Sequence, residues 1–262
     1  MELRAKKSLG QHFLNSPSAL GKIVAAAKIV PGETVLEIGP GTGILTRALI
    51  EAGARVVAVE KDDRSCSLLS DKFKAELSSG ALRLHRGDIL EADRGALGLE
   101  DKGYALVANI PYYITGMILQ TFLEIAPRPN RMVLLVQKEV ATRIVAKDGK
   151  ESILSVSVKA FGTPRIVATV PRGAFVPPPT VESAIIAIEN ISAERFESAQ
   201  TSIPRFFEVV KAGFAHKRKV LRSNLAEASA TKPIPELLKE LGIDANARAE
   251  DLPLKAWFDI AK

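Results

Sequence analysis

The ten residues TVLEIGPGTG, at positions 34–43, decide the fold class of this 262-residue chain. Thr34–Ile38 is a short apolar run typical of a buried strand, and a glycine-rich turn and a helical pattern through about Ala52 follow it. Arg55–Glu60 (RVVAVE) is a second apolar run, and the helical segment DDRSCSLLSDKF after it opens with an Asp suited to capping. This order of strand, turn and helix predicts parallel strands connected by helices.

The same alternation continues to about residue 190. Further strands are predicted at residues 81–88 (ALRLHRGD), 104–111 (YALVANIP) and Arg131–Gln137 (RMVLLVQ), and two later β-like runs lie near Thr163–Val170 and residues 183–188. We therefore expect an α/β fold built on a mainly parallel, doubly wound, Rossmann-like sheet.

The pattern changes after Glu189, where the β-like runs give way to helical ones. Four helices are predicted, at residues 203–215, 219–228, 234–241 and 253–260. We therefore divide the chain into an α/β domain over residues 1–189 and a small C-terminal helical domain over residues 190–262.

The composition is that of a globular protein, with 47% hydrophobic and 25% charged residues. No apolar run approaches the roughly 20 residues needed to span a bilayer. The basic N-terminus lacks the apolar core of a secretory signal, so we expect no membrane association. Cys66 is the only cysteine, which excludes an intramolecular disulfide, and with three separated histidines it suggests no metal site.

Two segments concentrate the net charge of +6. Residues 205–222 contain six basic residues against one acid, Glu208, and residues 1–31 contain five against Glu2. Such patches suit a polyanionic partner such as a nucleic acid. They also suit solvated helix faces, and charge alone does not choose between the two interpretations.

A cofactor site is predicted at the glycine-rich turn. Glycines between a strand and a helix let a ligand approach the backbone and the free N–H groups of the helix start. Glu60, at the end of the next strand, is placed to accept hydrogen bonds from ribose hydroxyls. Gly39, Gly41 and Gly43 give G-x-G-x-G rather than the dinucleotide fingerprint, which favours S-adenosylmethionine over a dinucleotide. A turn that merely tightens packing is the alternative.

Asp88 extends this site to the third strand, where its carboxylate could accept from the adenine amine of the cofactor. The commoner use of an Asp after Gly is to cap a turn. The glycine turn, Glu60 and Asp88 each follow a predicted strand, and ligands of open α/β sheets bind along the carboxyl edge of the strands.

The motif NIPYYIT, at residues 109–115, follows the fourth strand and predicts chemistry at an adenine amine. That amine is a poor nucleophile because its lone pair is delocalised into the ring. Acceptors aimed at its N–H groups favour a more nucleophilic nitrogen, and the Asn109 side-chain oxygen and the Ile110 carbonyl are two such acceptors. Pro111 stiffens the turn and Tyr112 can stack on a flipped-out base. An ordinary strand-end turn with a buried Tyr is the alternative.

Together these residues resemble the ribosomal RNA small-subunit adenine N6,N6-dimethyltransferase family, and the resemblance covers nearly the whole chain. KKSLGQHFLN at residues 6–15 is similar to the family's N-terminal motif, which implies that His12 and Leu14 line the cofactor site. Gly39, Glu60, Asp88 and Asn109 become cofactor contacts by the same resemblance. NIPYYIT matches the family's catalytic motif.

Two further segments carry the resemblance. LVQKEVATRIVA at residues 135–146 is similar to the helix after the fifth strand, and FVPPPTVES at residues 175–183 resembles the loop whose aromatic, here Phe175, sandwiches the target base. His12 departs from the Asn of many members. HKRK at residues 216–219 replaces paired arginines of many members, which keeps the charge but weakens bidentate phosphate binding.

The resemblance implies a class I methyltransferase sheet that binds S-adenosylmethionine, followed by a helical RNA-binding domain. It implies dimethylation of two adjacent adenines near the 3′ end of small-subunit ribosomal RNA, on a substrate that is an assembling small ribosomal subunit. The RNA contacts expected in the second domain are Lys217, Arg218, Lys219 and Arg222. We expect a cytoplasmic, metal-free monomer.

Three other functions are alternatives to this one. An erythromycin-resistance type of enzyme, which methylates one adenine of large-subunit RNA, is the nearest. The PPPTVES loop, the basic segment at residues 212–219 and RAEDLP at residues 248–253 favour the small-subunit enzyme. A non-enzymatic nucleic-acid-binding factor has no need of Asn109, Pro111 and Tyr112. A nicotinamide-dependent oxidoreductase does not fit the glycine spacing.

Overall fold

A computed structural model describes residues 5–6, 9–146, 150–226 and 233–262. The strands in these residues are β1 (Phe13–Leu14), β2 (Thr34–Ile38), β3 (Arg55–Glu60), β4 (Leu82–Arg86), β5 (Tyr104–Asn109), β6 (Arg131–Gln137), β7 (Thr163–Val170), β8 (Phe175–Val176) and β9 (Ser183–Glu189). Residues 7 and 8 of the predicted N-terminal motif lie outside the described ranges.

The helices of the described residues fall between and after these strands. They are α1 (Pro17–Ala27), α2 (Ile44–Glu51), α3 (Asp63–Lys72), α4 (Lys74–Ser79), α5 (Thr115–Glu124), α6 (Lys138–Ile144), α7 (Ile153–Phe161), α8 (Glu194–Ser198), α9 (Ile203–Gly213), α10 (Leu221–Asn224), α11 (Ile234–Glu240) and α12 (Leu254–Ile260). Among them, none is long and apolar enough to cross a membrane.

Seven strands form one sheet in the order β4-β3-β2-β5-β6-β9-β7. β4, β3, β2, β5 and β6 are parallel, whereas β9 runs antiparallel to β6 and β7 antiparallel to β9. The first strand of this sheet, β2, lies near its centre. β3 and β4 extend the sheet from β2 to one edge, and β5 and β6 extend it on the other side of β2, which is the doubly wound arrangement. The predicted Rossmann-like α/β class is confirmed.

The strands of the sheet centre are apolar on both faces because helices cover both faces of a doubly wound sheet. Val35 and Leu36 point to opposite faces of β2, and both are fully buried. β1 and β8 form a separate two-stranded ribbon that pairs Phe13 with Val176 and Leu14 with Phe175. This ribbon joins the N-terminal motif to the proline-rich loop.

The chain divides into two compact units. The first contains residues 1–141 and 163–191, and the second contains residues 142–162 and 192–262. Residues 142–162 were predicted within the first domain because they lie between two strands in sequence. In the structure α7 instead packs with α9 and α12, and the Phe161 ring lies 4.8 Å from that of Phe196. Aromatic packing therefore decides the membership of this segment.

The observed helices differ from the predicted ones in two ways. The helix predicted at residues 219–228 is observed as the short α10, and residues 227–228 lie outside the described ranges. α1, α4, α5, α7 and α8 were not individually predicted, although two of them have sequence signals. Ser16 caps α1 ahead of a proline, and Ser152 caps α7 in a reciprocal pair with Ser155.

Candidate active site

A pocket of about 240 Å³ lies at the carboxyl ends of β2, β3 and β5, within the first unit. It contains the ends of parallel strands because their following turns meet at one edge of the sheet. The N-terminal segment at residues 9–13 forms another wall. Most of the predicted cofactor residues line this pocket: His12, Gly39, Gly41, Glu60, Asp88 and Asn109.

The glycine-rich turn and Glu60 form one hydrogen-bonded unit. The Gly41 N–H donates to Glu60 Oε2 at 3.0 Å, and the Asp62 N–H donates to Glu60 Oε1 at 2.8 Å. Burial raises the pKa of Glu60 above its usual value. Each carboxylate oxygen has a second acceptor position, so the side chain can hold the turn and still accept from a ligand hydroxyl.

Gly41 is suited to this turn for two reasons. Its φ of +56° lies in the left-handed region that side chains disfavour. A Cβ at this position would lie 3.0 Å from two carbons of the Phe13 ring. The glycine therefore permits both the turn conformation and the close approach of the N-terminal segment.

Asp88 lines the pocket and also caps its own turn. Its Oδ1 accepts from the Leu90 N–H at 3.0 Å, and its Oδ2 accepts from Lys61 Nζ at 2.7 Å. The Lys61 hydrogen bond lowers the pKa of Asp88, so the carboxylate is charged at neutral pH. Capping of the turn and the expected contact with the adenine amine of the cofactor are therefore compatible in Asp88.

Asn109 ends β5 with its side chain in the pocket. Its Nδ2 donates to the backbone carbonyl of His12 at 3.0 Å. A carbonyl oxygen can only accept, so this contact identifies which end of the amide is the NH₂ group. No described residue donates a hydrogen bond to the Asn109 side-chain oxygen, which leaves that oxygen available as an acceptor.

Tyr112 lies one turn further along, in a 3-10 segment formed by Tyr112–Ile114. Its hydroxyl is 2.6 Å from Ser183 Oγ, and its ring is nearly parallel to the His12 ring at a centroid distance of 6.0 Å. Burial raises the pKa of Tyr112, so its phenol is neutral. The ring remains part of the pocket wall.

The N-terminal motif is held beside this aromatic. His12 Nδ1 lies 2.9 Å from the carbonyl oxygen of Pro177, which requires the proton to be on Nδ1. His12 thus contacts Asn109 through its backbone, Tyr112 through its ring and the proline-rich loop through its nitrogen. An imidazole at this position, in place of the family's frequent Asn, is accommodated by these contacts.

Two of the predicted catalytic and cofactor-binding residues do not line the main pocket. Phe175 is 2% exposed and packs in the core, so its predicted position beside a target base is not observed. Strand alternation explains this, because pairing of Leu14 with Phe175 directs Phe175 inward and leaves Val176 57% exposed. Leu14 is also buried and lines a smaller neighbouring cavity of about 30 Å³, together with Gly39 and Asn109.

Glu37 is a site residue whose role the sequence reasoning missed. It is 1% exposed, accepts a hydrogen bond from Thr46 Oγ1 at 2.6 Å and lines the smaller cavity. Burial raises the pKa of Glu37 to about 8. A charged residue inside the apolar run TVLEI was the signal that could have indicated it.

The predicted RNA contacts lie in the second unit, between α9 and the end of α10. The side chains of this basic segment are all exposed: Lys217, Arg218, Lys219 and Arg222. Within the described ranges these four side chains form no ion pair, so their charge is not neutralised locally. In the same ranges, no group of three His, Cys, Asp or Glu residues is arranged to hold a metal ion.

Comparison with known sequences identifies relatives over the full length. The pattern of the family described as "Ribosomal RNA adenine dimethylase" matches residues 2–262. A protein of Dehalococcoides mccartyi (strain CBDB1) named "Ribosomal RNA small subunit methyltransferase A" is 45% identical, covering 97% of this chain and 87% of the relative. A protein of the same name from Thermosynechococcus vestitus is 40% identical, covering 99% of this chain and 97% of the relative.

Solved structures give the same relationship. A dimethyladenosine transferase from Plasmodium falciparum superposes with a TM-score of 0.80 at 27% identity, covering 95% of this chain and 96% of the other. The 23S rRNA methyltransferase ErmE superposes with a TM-score of 0.73 at 27% identity, covering 95% and 98%. The fold is thus that of methyltransferases, and with the match over residues 2–262 the chain belongs to the ribosomal RNA adenine dimethylase family.

Proposed function

We propose that this chain transfers methyl groups from S-adenosylmethionine to the N6 amines of two adjacent adenines near the 3′ end of small-subunit ribosomal RNA. The observation that carries the proposal is the Asn109 side chain, whose NH₂ group is bound to the His12 carbonyl while its oxygen stays available in the pocket. Membership of the family and the names of the bacterial relatives support the same activity.

The pocket fits the proposed cofactor. A Cβ added to Gly39 would meet no atom within 4 Å, so the turn leaves open space where a ligand can approach the backbone. We assign the ribose hydroxyls to Glu60 and the adenine amine to Asp88, where Lys61 must share the carboxylate. His12, Gly41 and Asn109 complete the cofactor contacts, and Leu14 contributes through the neighbouring cavity. When bound, the cofactor supplies an electrophilic methyl group on its sulfonium.

The residues of the catalytic motif act on the acceptor base. Tyr112 stacks on the flipped-out adenine, and Asn109 Oδ1 and the Ile110 carbonyl accept hydrogen bonds from its amine, while Pro111 stiffens the turn. These acceptors favour a tetrahedral nitrogen whose lone pair can attack in line. After transfer the nitrogen loses a proton to water, so no dedicated base is required. The residues of the chain therefore align the acceptor amine with the methyl group and polarise its N–H bonds.

We assign RNA binding in the second unit to Lys217, Arg218, Lys219 and Arg222. Exposed cations without local partners release counterions from the phosphate backbone when they bind it. We propose that the chain acts as a cytoplasmic monomer on an assembling small ribosomal subunit. Sedimentation of the purified protein over a concentration series tests the monomer directly.

The test of the function is methyl transfer from labelled S-adenosylmethionine to small-subunit particles that lack the modification. Digestion of the RNA and separation of its nucleosides should give labelled dimethyladenosine. Label confined to large-subunit RNA in a parallel reaction would instead indicate an enzyme of the resistance type. Absence of label with cofactor binding intact would indicate a nucleic-acid-binding factor without activity.

A further inference from the structure

We propose that Ser183 is a positioning residue that holds the Tyr112 ring in the orientation required to stack on the acceptor base. This inference rests on the stacking function proposed above for Tyr112. It assigns a function to the last residue of the FVPPPTVES loop, whose aromatic Phe175 is directed into the core.

The contact between the two residues is short and well anchored. The Tyr112 hydroxyl and Ser183 Oγ are 2.6 Å apart, within the range of O–H···O hydrogen bonds. Ser183 is fully buried and pairs with Gln137 of β6 on one side and Val170 of β7 on the other. Its hydroxyl is therefore fixed by the sheet, and it restrains the free end of the tyrosine side chain.

The hydroxyl of Ser183 has no evident purpose for the strand itself. β9 has the sequence SAIIAIE, and the five residues after Ser183 are buried and apolar. Burying a hydroxyl costs free energy unless the hydroxyl is hydrogen-bonded. For the packing of the strand alone, an alanine at this position would avoid that cost. Within the described residues, the hydrogen-bond partner of Ser183 Oγ is the Tyr112 hydroxyl. The pairing thus accounts for a polar atom at this buried position.

Tyr112 has a second restraint on its ring face. The His12 ring lies nearly parallel to it, and His12 is itself held by the Pro177 carbonyl. The serine hydroxyl and the imidazole thus restrain different parts of one aromatic ring. A ring that is already oriented loses little conformational entropy when a base stacks on it. Removal of the hydroxyl should therefore reduce the rate of transfer rather than cofactor affinity.

The experiment compares Ser183→Ala, Tyr112→Phe and the double variant, in methyl transfer to small-subunit particles lacking the modification. Loss of one hydrogen bond should lower kcat roughly five- to tenfold in each single variant. Because both changes remove the same bond, the double variant should lose no more than either single variant. The KM for the particles and the Kd for S-adenosylmethionine should stay within about twofold.

Ser65→Ala is the matched control, since Ser65 is also fully buried but its hydroxyl has no hydrogen-bond partner within the described residues. That variant should keep the wild-type kcat. The positioning function would be overturned if the double variant lost kcat by the product of the two single losses. A wild-type kcat in Ser183→Ala would overturn it as well. If Ser183→Ala does not fold, Tyr112→Phe and Ser183→Thr decide, since the first should be slow and the second, which keeps a hydroxyl, should retain transfer.

Tyr112→Ala separates this inference from the proposal on which it rests. Loss of transfer in Tyr112→Ala with full transfer in Ser183→Ala would overturn the inference alone. Full transfer in Tyr112→Ala would overturn base stacking by Tyr112, and the inference with it.

Discussion

The Asn109 side-chain amide donates to the backbone carbonyl of His12 over 3.0 Å. This contact joins the end of β5 to the N-terminal motif, and it determines which end of the amide remains free. The orientation does not depend on the identity of the residue 12 side chain, because the acceptor is a backbone atom. A His in place of the family's frequent Asn therefore leaves the proposed catalytic acceptor in place.

Asn109→Ala should reduce methyl transfer by about 10²- to 10³-fold, as expected when a preorganised polar contact to the reacting group is lost. Binding of S-adenosylmethionine should stay measurable by calorimetry, because Glu60, Asp88 and the glycine turn are unchanged. Single-turnover transfer to unmodified small-subunit particles is the measurement. Near-normal turnover would remove Asn109 from the mechanism.

Gly41→Ala should weaken S-adenosylmethionine binding by about tenfold or more, because the added Cβ strains a left-handed backbone and meets the Phe13 ring. Gly80→Ala is the control. Gly80 has a φ of +77°, but a Cβ there meets no atom within 4 Å. It should cost about 1 kcal/mol of stability without changing the Kd. Equal effects of both variants on the Kd would mean that backbone strain alone is responsible.

Glu37 should make the free protein less stable as the pH rises from about 4.5 to about 8. Burial raises its pKa to about 8 from the ordinary value of 4.5, so the folded state holds a proton that the unfolded state has released in this window. The contribution of Glu37 to the free energy of unfolding is complete below about pH 4.5 and is lost as the pH rises through about 8. Its slope reaches at most about 1.4 kcal/mol per pH unit.

Glu37→Gln isolates this contribution, since glutamine has a similar shape and does not titrate. Urea unfolding of both proteins from pH 5 to 8 should show the wild type losing stability relative to the variant as pH rises. Groups that do not interact with Glu37 cancel in the difference. The neighbouring Glu60, whose charge adds to the effect of burial in raising the pKa of Glu37, contributes a smaller change. Parallel stability curves would show that Glu37 has an ordinary pKa in the folded state.

Replacement of Lys217, Arg218 and Lys219 together by Gln should weaken RNA binding and reduce its dependence on salt. If each cation contacts one phosphate, the slope of log K against log salt should fall by about 2 to 3. The charge-matched control replaces Lys239, Lys255 and Lys262 of the same unit. An unchanged slope in the first variant, measured by filter binding, would mean that the basic segment faces away from the RNA.

Phe175→Leu should retain methyl transfer, and Phe175→Ala should destabilise the fold by about 3 to 5 kcal/mol, as expected of a buried aromatic in the core. Leucine keeps most of the buried volume but cannot stack on a base. Thermal unfolding and transfer assays of the two variants are the measurements. A folded Phe175→Leu protein that transfers no methyl groups would indicate that Phe175 contacts the target base after all.

Local sequence patterns predicted the sheet closely. The bounds of β2, β3, β6 and β7 agree with the predicted runs. β2, β3 and β6 are buried parallel strands, which need apolar residues on both faces. β7 is a largely exposed edge strand, and its β-branched residues are what indicate it in the sequence. β4 and β5 end two residues earlier than predicted. A Gly-Asp turn follows β4 and Pro111 follows β5, and these turn residues were counted as strand.

The sequence did not predict that α7 belongs to the second unit. Its residues lie between two strands of the sheet, yet the Phe161 ring lies against Phe196 and Phe207 of the second unit. No local pattern shows which distant aromatic side chains will share a core.

The sequence by itself determined the α/β class, the sheet centre and the strand ends that carry Gly41, Glu60 and Asp88. These features depend on residues close in the chain and on the rule that parallel strands present their carboxyl ends at one edge. Only the tertiary structure decided the orientation of Asn109, the pairing of Tyr112 with Ser183 and the burial of Phe175. The first two join residues 97 and 71 positions apart, and the third follows from pairing of β1 with β8. Such contacts depend on the packed fold, which no short stretch of sequence contains.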